Sequence, residues 1–166
     1  AIDIKGFDFE VSYWWRHQLQ LSLNGSYTDE RNLRKYKTDG NPSATYKNRV
    51  PNRPWLFGNV EASYTFNSLI DKEDRLRIGA AYQYIHWYFL NWEAFGALST
   101  KARIPTQNLI NISLTYSWAK ERYNLSFECN NLFDRLAYDN YMLQKPGRSF
   151  AAKLRIYNDK QKKVAQ

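Results

Sequence analysis

Polar and apolar residues alternate with a period of two in seven stretches of the chain. In the first, Phe7, Phe9, Val11 and Tyr13 fall on one face and Asp8, Glu10 and Ser12 on the other; in the second, Leu19, Leu21, Leu23 and Tyr27 oppose Gln18, Gln20, Ser22, Asn24 and Ser26. The third runs from about Pro54 to Phe66, with Leu56, Val60, Ala62, Tyr64 and Phe66 against Asn59, Glu61, Ser63 and Thr65. The fourth sets Leu76, Ile78, Ala80, Tyr82 and Tyr84 against Arg75, Arg77, Ala81 and Gln83, and the fifth sets Ile110, Ile112, Leu114, Tyr116 and Trp118 against Asn111, Ser113, Thr115 and Ser117. In the sixth, Tyr123, Leu125, Phe127 and Cys129 oppose Asn124, Ser126, Glu128 and Asn130; in the seventh, Phe150, Ala152, Leu154 and Ile156 oppose Ser149, Ala151, Lys153 and Arg155. Successive side chains of a strand point to opposite faces, whereas a helix would smear the two classes around its circumference, so the pattern predicts an all-β, antiparallel protein.

The connections alternate as well. Trp14 to His17, Phe66 to Asp74 and Trp118 to Tyr123 are short, whereas Asp29 to Pro51, Tyr88 to Pro105 and Phe133 to Gly147 are long. Short turns at one end and long loops at the other is the layout of an outer-membrane barrel, and most of the stretches approach the roughly 9 to 11 residues that cross a bilayer at a tilt. Aromatic residues gather at both ends of the strands: Tyr13, Trp14, Trp15, Tyr64, Phe66, Tyr116, Trp118 and Tyr123 beside the short turns, and Tyr27, Tyr84, Trp87 and Tyr88 at the other end. Two interfacial girdles require this arrangement. The competing architecture is a soluble antiparallel sandwich, but these rings would crowd a layer about 10 Å thick, and a second face of Asn, Ser, Gln and Thr suits a wet lumen better.

Composition sharpens this picture only in part. Of 166 residues 17% are aromatic, with Tyr 13 and Trp 6 against Phe 9, an excess of rings with a polar tip that fits interfacial belts. The mean hydropathy is −0.70 and no stretch approaches the roughly 20 apolar residues of a spanning helix, which excludes a helical membrane protein but not a barrel. A formal charge of +8 raises the possibility of nucleic acid, yet the basic residues are scattered over loops and polar faces apart from Lys160, Lys162 and Lys163, and no recognised binding motif accompanies them. Cys129, the single cysteine, rules out an internal disulfide and fits a small packed hydrophobe. No signal-peptide pattern opens the chain, so an exported protein would begin upstream of Ala1. No Ser-His-Asp arrangement, phosphate loop or metal-ligand cluster is visible, so neither catalysis nor a resident cofactor is expected.

Asn130-Asn-Leu-Phe-Asp134 closing an alternating strand, followed by Lys145-Pro-Gly-Arg-Ser-Phe150 opening the last one, closely resembles the carboxy-terminal end of TonB-dependent outer-membrane receptors. Arg49-Val-Pro-Asn-Arg-Pro-Trp-Leu-Phe-Gly-Asn-Val60 and Ile104-Pro-Thr-Gln-Asn-Leu-Ile-Asn-Ile-Ser-Leu-Thr-Tyr116 resemble the segments leading into late strands of that family. The resemblance implies that residues 1–157 supply about the last seven strands of a 22-stranded barrel, with 158–166 a polar basic tail and the plug domain absent from this chain. It also implies import of a scarce nutrient of the ferric siderophore, haem or cobalamin class, with energy from the TonB complex passed through the plug. The remainder of the barrel, the plug, and outer-membrane lipid and lipopolysaccharide are the implied partners. Family chains usually end on an aromatic residue; here that place falls near Tyr157, and Asn158 to Gln166 follow it. A passive porin, an adhesive barrel or a soluble carbohydrate-binding sandwich are the alternatives.

Ligand-facing candidates lie in the long loops: Arg31, Arg34, Tyr36 and Lys37 in the first, and His86, Trp87, Tyr88, Trp92 and Phe95 in and before the second. Arginine and tyrosine suit anionic ferric chelates, and tryptophan and phenylalanine suit flat macrocycles. The same Trp87 and Tyr88 also fit belt residues, the arginines also fit contacts to lipopolysaccharide or water, and His86 fits either a haem ligand or the polar end of a strand. On the polar strand faces Glu61, Arg75, Arg77, Glu128, Lys153 and Arg155 are expected to pair across strands or with the plug, because buried charges are costly when alone. Asp134 is expected to cap a turn through its own backbone, and Pro146-Gly147 to fix a bend before Arg148, so that these motif residues shape loops and touch no ligand.

Overall fold

The computed structural model describes residues 1–95 and 102–157. Among these, the strands are β1 (Ile2–Trp15), β2 (Leu19–Asn32), β3 (Leu56–Asn67), β4 (Arg75–Ile85), β5 (Tyr88–Phe89), β6 (Arg103–Ile104), β7 (Gln107–Trp118), β8 (Tyr123–Asn130) and β9 (Ser149–Ile156). The seven long strands form one antiparallel meander in the order β1-β2-β3-β4-β7-β8-β9, with β1 and β9 at its edges. The two-residue strands β5 and β6 make a separate ribbon within the β4–β7 connection, where the sequence pattern predicts only a loop. Two residues are too few for any periodicity to register. The predicted tail, 158–166, lies outside the described residues.

The register explains why the alternation is so clean. Val11, Leu23, Val60, Tyr82 and Ile110 are successive partners across five strands, and Ile78, Leu114, Phe127 and Ala152 across four. On the other face Thr65, Arg77, Thr115, Ser126 and Lys153 form an equivalent polar row. Because the period is two, slipping any pair by one residue would carry a whole apolar row to the wrong side.

β1 and β2 run farther than their apolar pattern does. Their ladder continues to the pair Ile2 and Asn32, five residues beyond Tyr27, although a loop is expected from Asp29 onward. This extension is charged on the face that carries the apolar row: Lys5 pairs with Asp3 at 3.1 Å and Arg31 with Asp29 at 2.9 Å. On β1 the alternation continues through Ile2 and Ile4 on the opposite face, and on β2 Asp29 and Arg31 take the places of the apolar row.

Burial of hydrophobic side chains is confined to the long-loop end. Among the described residues the buried hydrophobic side chains are Tyr88, Phe89, Ile104 and Ala137, which join the β5–β6 ribbon to the β8–β9 loop; the Tyr88 hydroxyl donates to Asn140 Oδ1 at 3.1 Å. The apolar row itself is bare, with Phe7 63% and Phe150 76% exposed. The accessible surface of 12372 Å² exceeds the roughly 8,600 Å² of a compact folded monomer of this mass. A face of this kind needs a nonaqueous medium to cover it.

The short turns use left-handed backbone, at Arg16 and His17 and again at Ala119, Lys120 and Glu121, as tight antiparallel connections require. The β3–β4 turn is held by one side chain. Asp74 is buried and accepts from the N–H groups of Leu69, Ile70 and Asp71 at 2.7, 2.8 and 3.1 Å and from the Tyr116 hydroxyl at 2.8 Å. Burial opposes ionisation of this carboxyl, but the Ile70 N–H, the Tyr116 hydroxyl and the remaining turn amides together outweigh it and hold the group below its ordinary value near 3.8. Its contribution to stability is therefore present above that ordinary value and is lost as pH falls through the lower folded value. Asp74→Ala is expected to lower the thermal midpoint of the detergent-solubilised complete protein, more so than Tyr116→Phe, which removes one of the four donors. The gap between wild type and Asp74→Asn should shrink as pH falls past the ordinary carboxyl value and through the lower folded one; an unchanged gap would show that the ionised carboxylate is not what holds the turn.

Candidate functional site

The polar face carries a depression of about 290 Å³ between β2, β3, β4, β7 and β8, bordered by Gln20, Glu61, Ser63, Arg77, Asn111, Ser113, Glu128 and Asn130. Its floor is open because Gly79 has no side chain: a Cβ there would sit 2.6 Å from Ser113 Oγ. Arg77 leans along the wall, donating from Nη2 to Ser63 Oγ at 2.9 Å and Gln20 Oε1 at 3.0 Å. Glu61 stands opposite Ser22 and Ala81, and Glu128 opposite Ser113 and Ala151. With such small neighbours, neither carboxylate has an ion-pair partner among the described residues.

The six polar-face charges thus separate. Glu61, Arg77 and Glu128 meet in the depression, whereas Arg75 pairs with Glu121 at the short-turn end. Lys153 and Arg155 lie on the edge strand, where Arg155 donates to the Tyr157 hydroxyl at 3.1 Å. Arg75 finds its partner in the β7–β8 turn rather than on a neighbouring strand, and Arg77 takes neutral partners.

A second concavity, about 600 Å³, opens at the long-loop end, at the edge where β1 begins and β2 ends. Arg34, Lys37, Trp92 and Phe95 line it together with Asn32, Ser43 and Thr45. The loop after β2 is folded back by its own hydrogen bonds: Asn32 Nδ2 donates to Thr45 Oγ1 at 2.8 Å, the Arg34 N–H to Asn32 Oδ1 at 3.0 Å, and the Lys37 N–H to the Asn41 carbonyl at 2.8 Å. Gly40 takes the left-handed conformation at the tip. The groove therefore unites two cations and two aromatic rings from loops more than fifty residues apart.

The other candidates go elsewhere. Tyr36 bridges to Pro42 and is exposed outside the groove. Arg31 is held by both oxygens of Asp29, at 2.9 and 3.0 Å, and donates to the Lys47 carbonyl at 3.2 Å. Tyr88 is in the loop core. His86 shares the face of Tyr84 and Tyr82; its Nδ1 is 2.6 Å from the Tyr84 hydroxyl, and its ring lies 4.4 Å from Trp55 and 5.7 Å from Trp87. His86 and Trp87 therefore belong to an aromatic cluster on the apolar side. Sequence reasoning misses the companions of that cluster, Arg49, Trp55 and Arg103. It misses Asn32, Ser43 and Thr45 too, because no periodicity links loop residues that meet only in three dimensions.

The motif residues do shape loops. The Asp134 N–H closes its own turn onto the Asn131 carbonyl at 2.9 Å, its carboxylate accepts the Arg148 N–H across the loop at 2.7 Å, and Gly147 leaves room for that carboxylate. Buried Asn131 donates to the Arg135 carbonyl at 2.7 Å and accepts from its N–H at 2.9 Å, while its own N–H donates to Asn111 Oδ1 at 2.8 Å.

A seven-stranded sheet with one bare apolar face, aromatic ends and a polar, indented opposite face is a section of a membrane β-barrel. The family described as TonB dependent receptor-like, beta-barrel matches residues 1–132, and the chain belongs to that family. Its barrels reside in the outer membrane, and so does this one. Among solved structures, the siderophore receptor PiuA from Acinetobacter baumannii superposes with a TM-score of 0.68 at 17% identity, over 92% of this chain and 21% of the receptor. The FrpB iron transporter from Neisseria meningitidis (F3-3 variant) gives a TM-score of 0.64 at 16% identity, over 92% of this chain and 23% of the transporter. At such identities the likeness is one of fold, and the chain spans about a fifth of the length of these proteins. No curated protein matches the sequence.

Asn131→Ala removes both side-chain bonds to Arg135 from a buried position and is expected to destabilise the complete protein by about 1–3 kcal/mol. The shift of the urea midpoint measures it, and an unchanged midpoint would show that the loop tolerates the loss.

Proposed function

We propose that the complete protein is an energy-coupled importer that captures an anionic, aromatic iron chelate of the ferric siderophore class at its outer end. The observation that carries this reading is the groove in which Arg34 and Lys37 face the same space as Trp92 and Phe95. Two cations bind carboxylate or catecholate oxygens through charge-assisted hydrogen bonds, and the rings stack on the flat parts of the chelate. The names of the neighbours, a siderophore receptor and an iron transporter, point the same way, and neither is an enzyme. Haem fits less well, because His86 is turned toward the aromatic cluster on the apolar side.

Import of a bound ligand through a barrel needs a movable plug and an energy source, here the plug domain of the family and the TonB complex of the inner membrane. The depression on the polar face supports a plug contact: Glu61 and Glu128 are two lumenal carboxylates without an ion-pair partner in this chain's described part, and cationic plug side chains would neutralise both. Lipid and lipopolysaccharide cover the apolar face.

Arg34→Ala with Lys37→Ala is expected to weaken ferric-siderophore binding by the complete receptor at least about tenfold, equivalent to about 1.4 kcal/mol. Arg31→Ala should leave it unchanged, since that guanidinium is already held by Asp29. Equal binding by the double variant would remove the groove from the ligand path. Uptake that persists without TonB would make the protein a passive channel. Glu61→Gln with Glu128→Gln is expected to expose the plug to added protease while the barrel stays resistant; a plug that remains protected would refute the contact.

A further inference from the structure

The groove in which Arg34 and Lys37 meet Trp92 and Phe95 is assembled from two loops, and a side chain outside its wall ties those loops together. That side chain is Asn52, near the end of the β2–β3 loop. Its backbone is left-handed, with φ 60°, a conformation asparagine accepts more readily than most residues. The Asn52 N–H donates to the Phe89 carbonyl at 2.8 Å. With its amide nitrogen turned the same way, Nδ2 donates to the Leu90 carbonyl at 2.7 Å and to the Asn140 carbonyl at 3.0 Å. Two facing carbonyls need a donor with two hydrogens, and the amide has one for each. One residue therefore bonds the β2–β3 loop to the β4–β7 connection and to the β8–β9 loop.

Both sides of this joint are stiff. Between Asn52 and the cations the loop is zipped onto the end of β2: the Val50 N–H donates to the Glu30 carbonyl at 3.0 Å, the Asn32 N–H to the Asn48 carbonyl at 3.0 Å and the Lys47 N–H to the Asn32 carbonyl at 2.7 Å. Beyond Phe89 the Leu90 N–H donates to the Ala102 carbonyl at 2.9 Å, and the Phe95 N–H closes a turn onto the Trp92 carbonyl at 2.9 Å. Trp92 and Phe95 thus follow wherever the Phe89 and Leu90 carbonyls are placed. The spacing between cations and rings is set at Asn52, although Asn52 does not line the groove.

We propose that Asn52 is a positioning residue for ligand capture, setting the spacing of the groove by joining three loops into one body. The proposal rests on the reading of that groove as the siderophore site. Without the amide the loops drift, and the groove is complete only part of the time. A ligand must then wait for the complete form, so the loss falls on association. Removing a group that touches the ligand acts chiefly on dissociation.

The test uses the full-length receptor in detergent, with binding kinetics of a ferric catecholate siderophore and hydrogen exchange of the ligand-free protein. Asn52→Gly keeps the left-handed backbone and the N–H bond to Phe89 and removes the amide. It should slow association about tenfold, as a groove complete about a tenth of the time requires, with dissociation unchanged. Asn52→Asp, which sets an acceptor against two carbonyls, should slow it further. In both variants the amides of all three loops should exchange faster, while an unchanged β-sheet spectrum checks folding. Faster exchange confined to the β2–β3 loop would overturn the joint. Association at the wild-type rate would overturn the positioning role, as would a loss carried by dissociation alone, which would make Asn52 a ligand contact. Wild-type binding by Arg34→Ala with Lys37→Ala would instead remove the groove from the ligand path, and exchange in the Asn52 variants would still read the three-loop joint.

Discussion

Everything in this chain follows from the antiparallel register that keeps every second residue on one side of a single sheet. A backbone in hydrocarbon must satisfy its hydrogen bonds internally, and the meander does this between neighbouring strands. Once the ladder is fixed, the side chains have no choice: Val11, Leu23, Val60, Tyr82 and Ile110 must meet one solvent, and Glu61, Arg77 and Glu128 another. Turn chemistry then serves the register, with Asp74 gathering three amides and a hydroxyl so that β3 and β4 meet in the right phase.

The two ends of the sheet are built on different principles. At the short-turn end a few left-handed residues and one carboxylate suffice. At the other end the loops need a core of their own, and Tyr88, Phe89, Ile104 and Ala137 supply it, so the β5–β6 ribbon and the β8–β9 loop rest on each other. That support is what lets the β2–β3 loop and the Trp92–Phe95 turn meet in a shaped groove.

The long strands were legible because each carries four or five apolar residues at strict alternation, as β7 does from Ile110 to Trp118. The family was legible from Asn130 to Asp134 and Lys145 to Phe150, whose side chains lock a loop: Asn131 onto Arg135, Asp134 onto Arg148. The extension of β2 past Tyr27 was not, since Asp29 and Arg31 take the places of the apolar row there. Nor was the fate of individual loop candidates. Trp92 and Trp87 look alike in sequence, yet one lines the groove and the other stacks in the girdle, a difference set by contacts with Arg34's loop and with Arg103. His86 had two readings, and its sequence neighbours gave no sign that its Nδ1 would meet the Tyr84 hydroxyl on the apolar side.

The unequal ends of the meander carry a consequence for where the molecule can change. At the short-turn end the connections are a few residues held by left-handed backbone and by Asp74, so their length cannot vary without disturbing the phase of the strands. At the other end the ladder is complete before the loops begin, so residues such as those around Gly40 can be exchanged or lengthened while the strands keep their partners. One end of the sheet is therefore constrained by folding, and the other is free to be reshaped around whatever it binds.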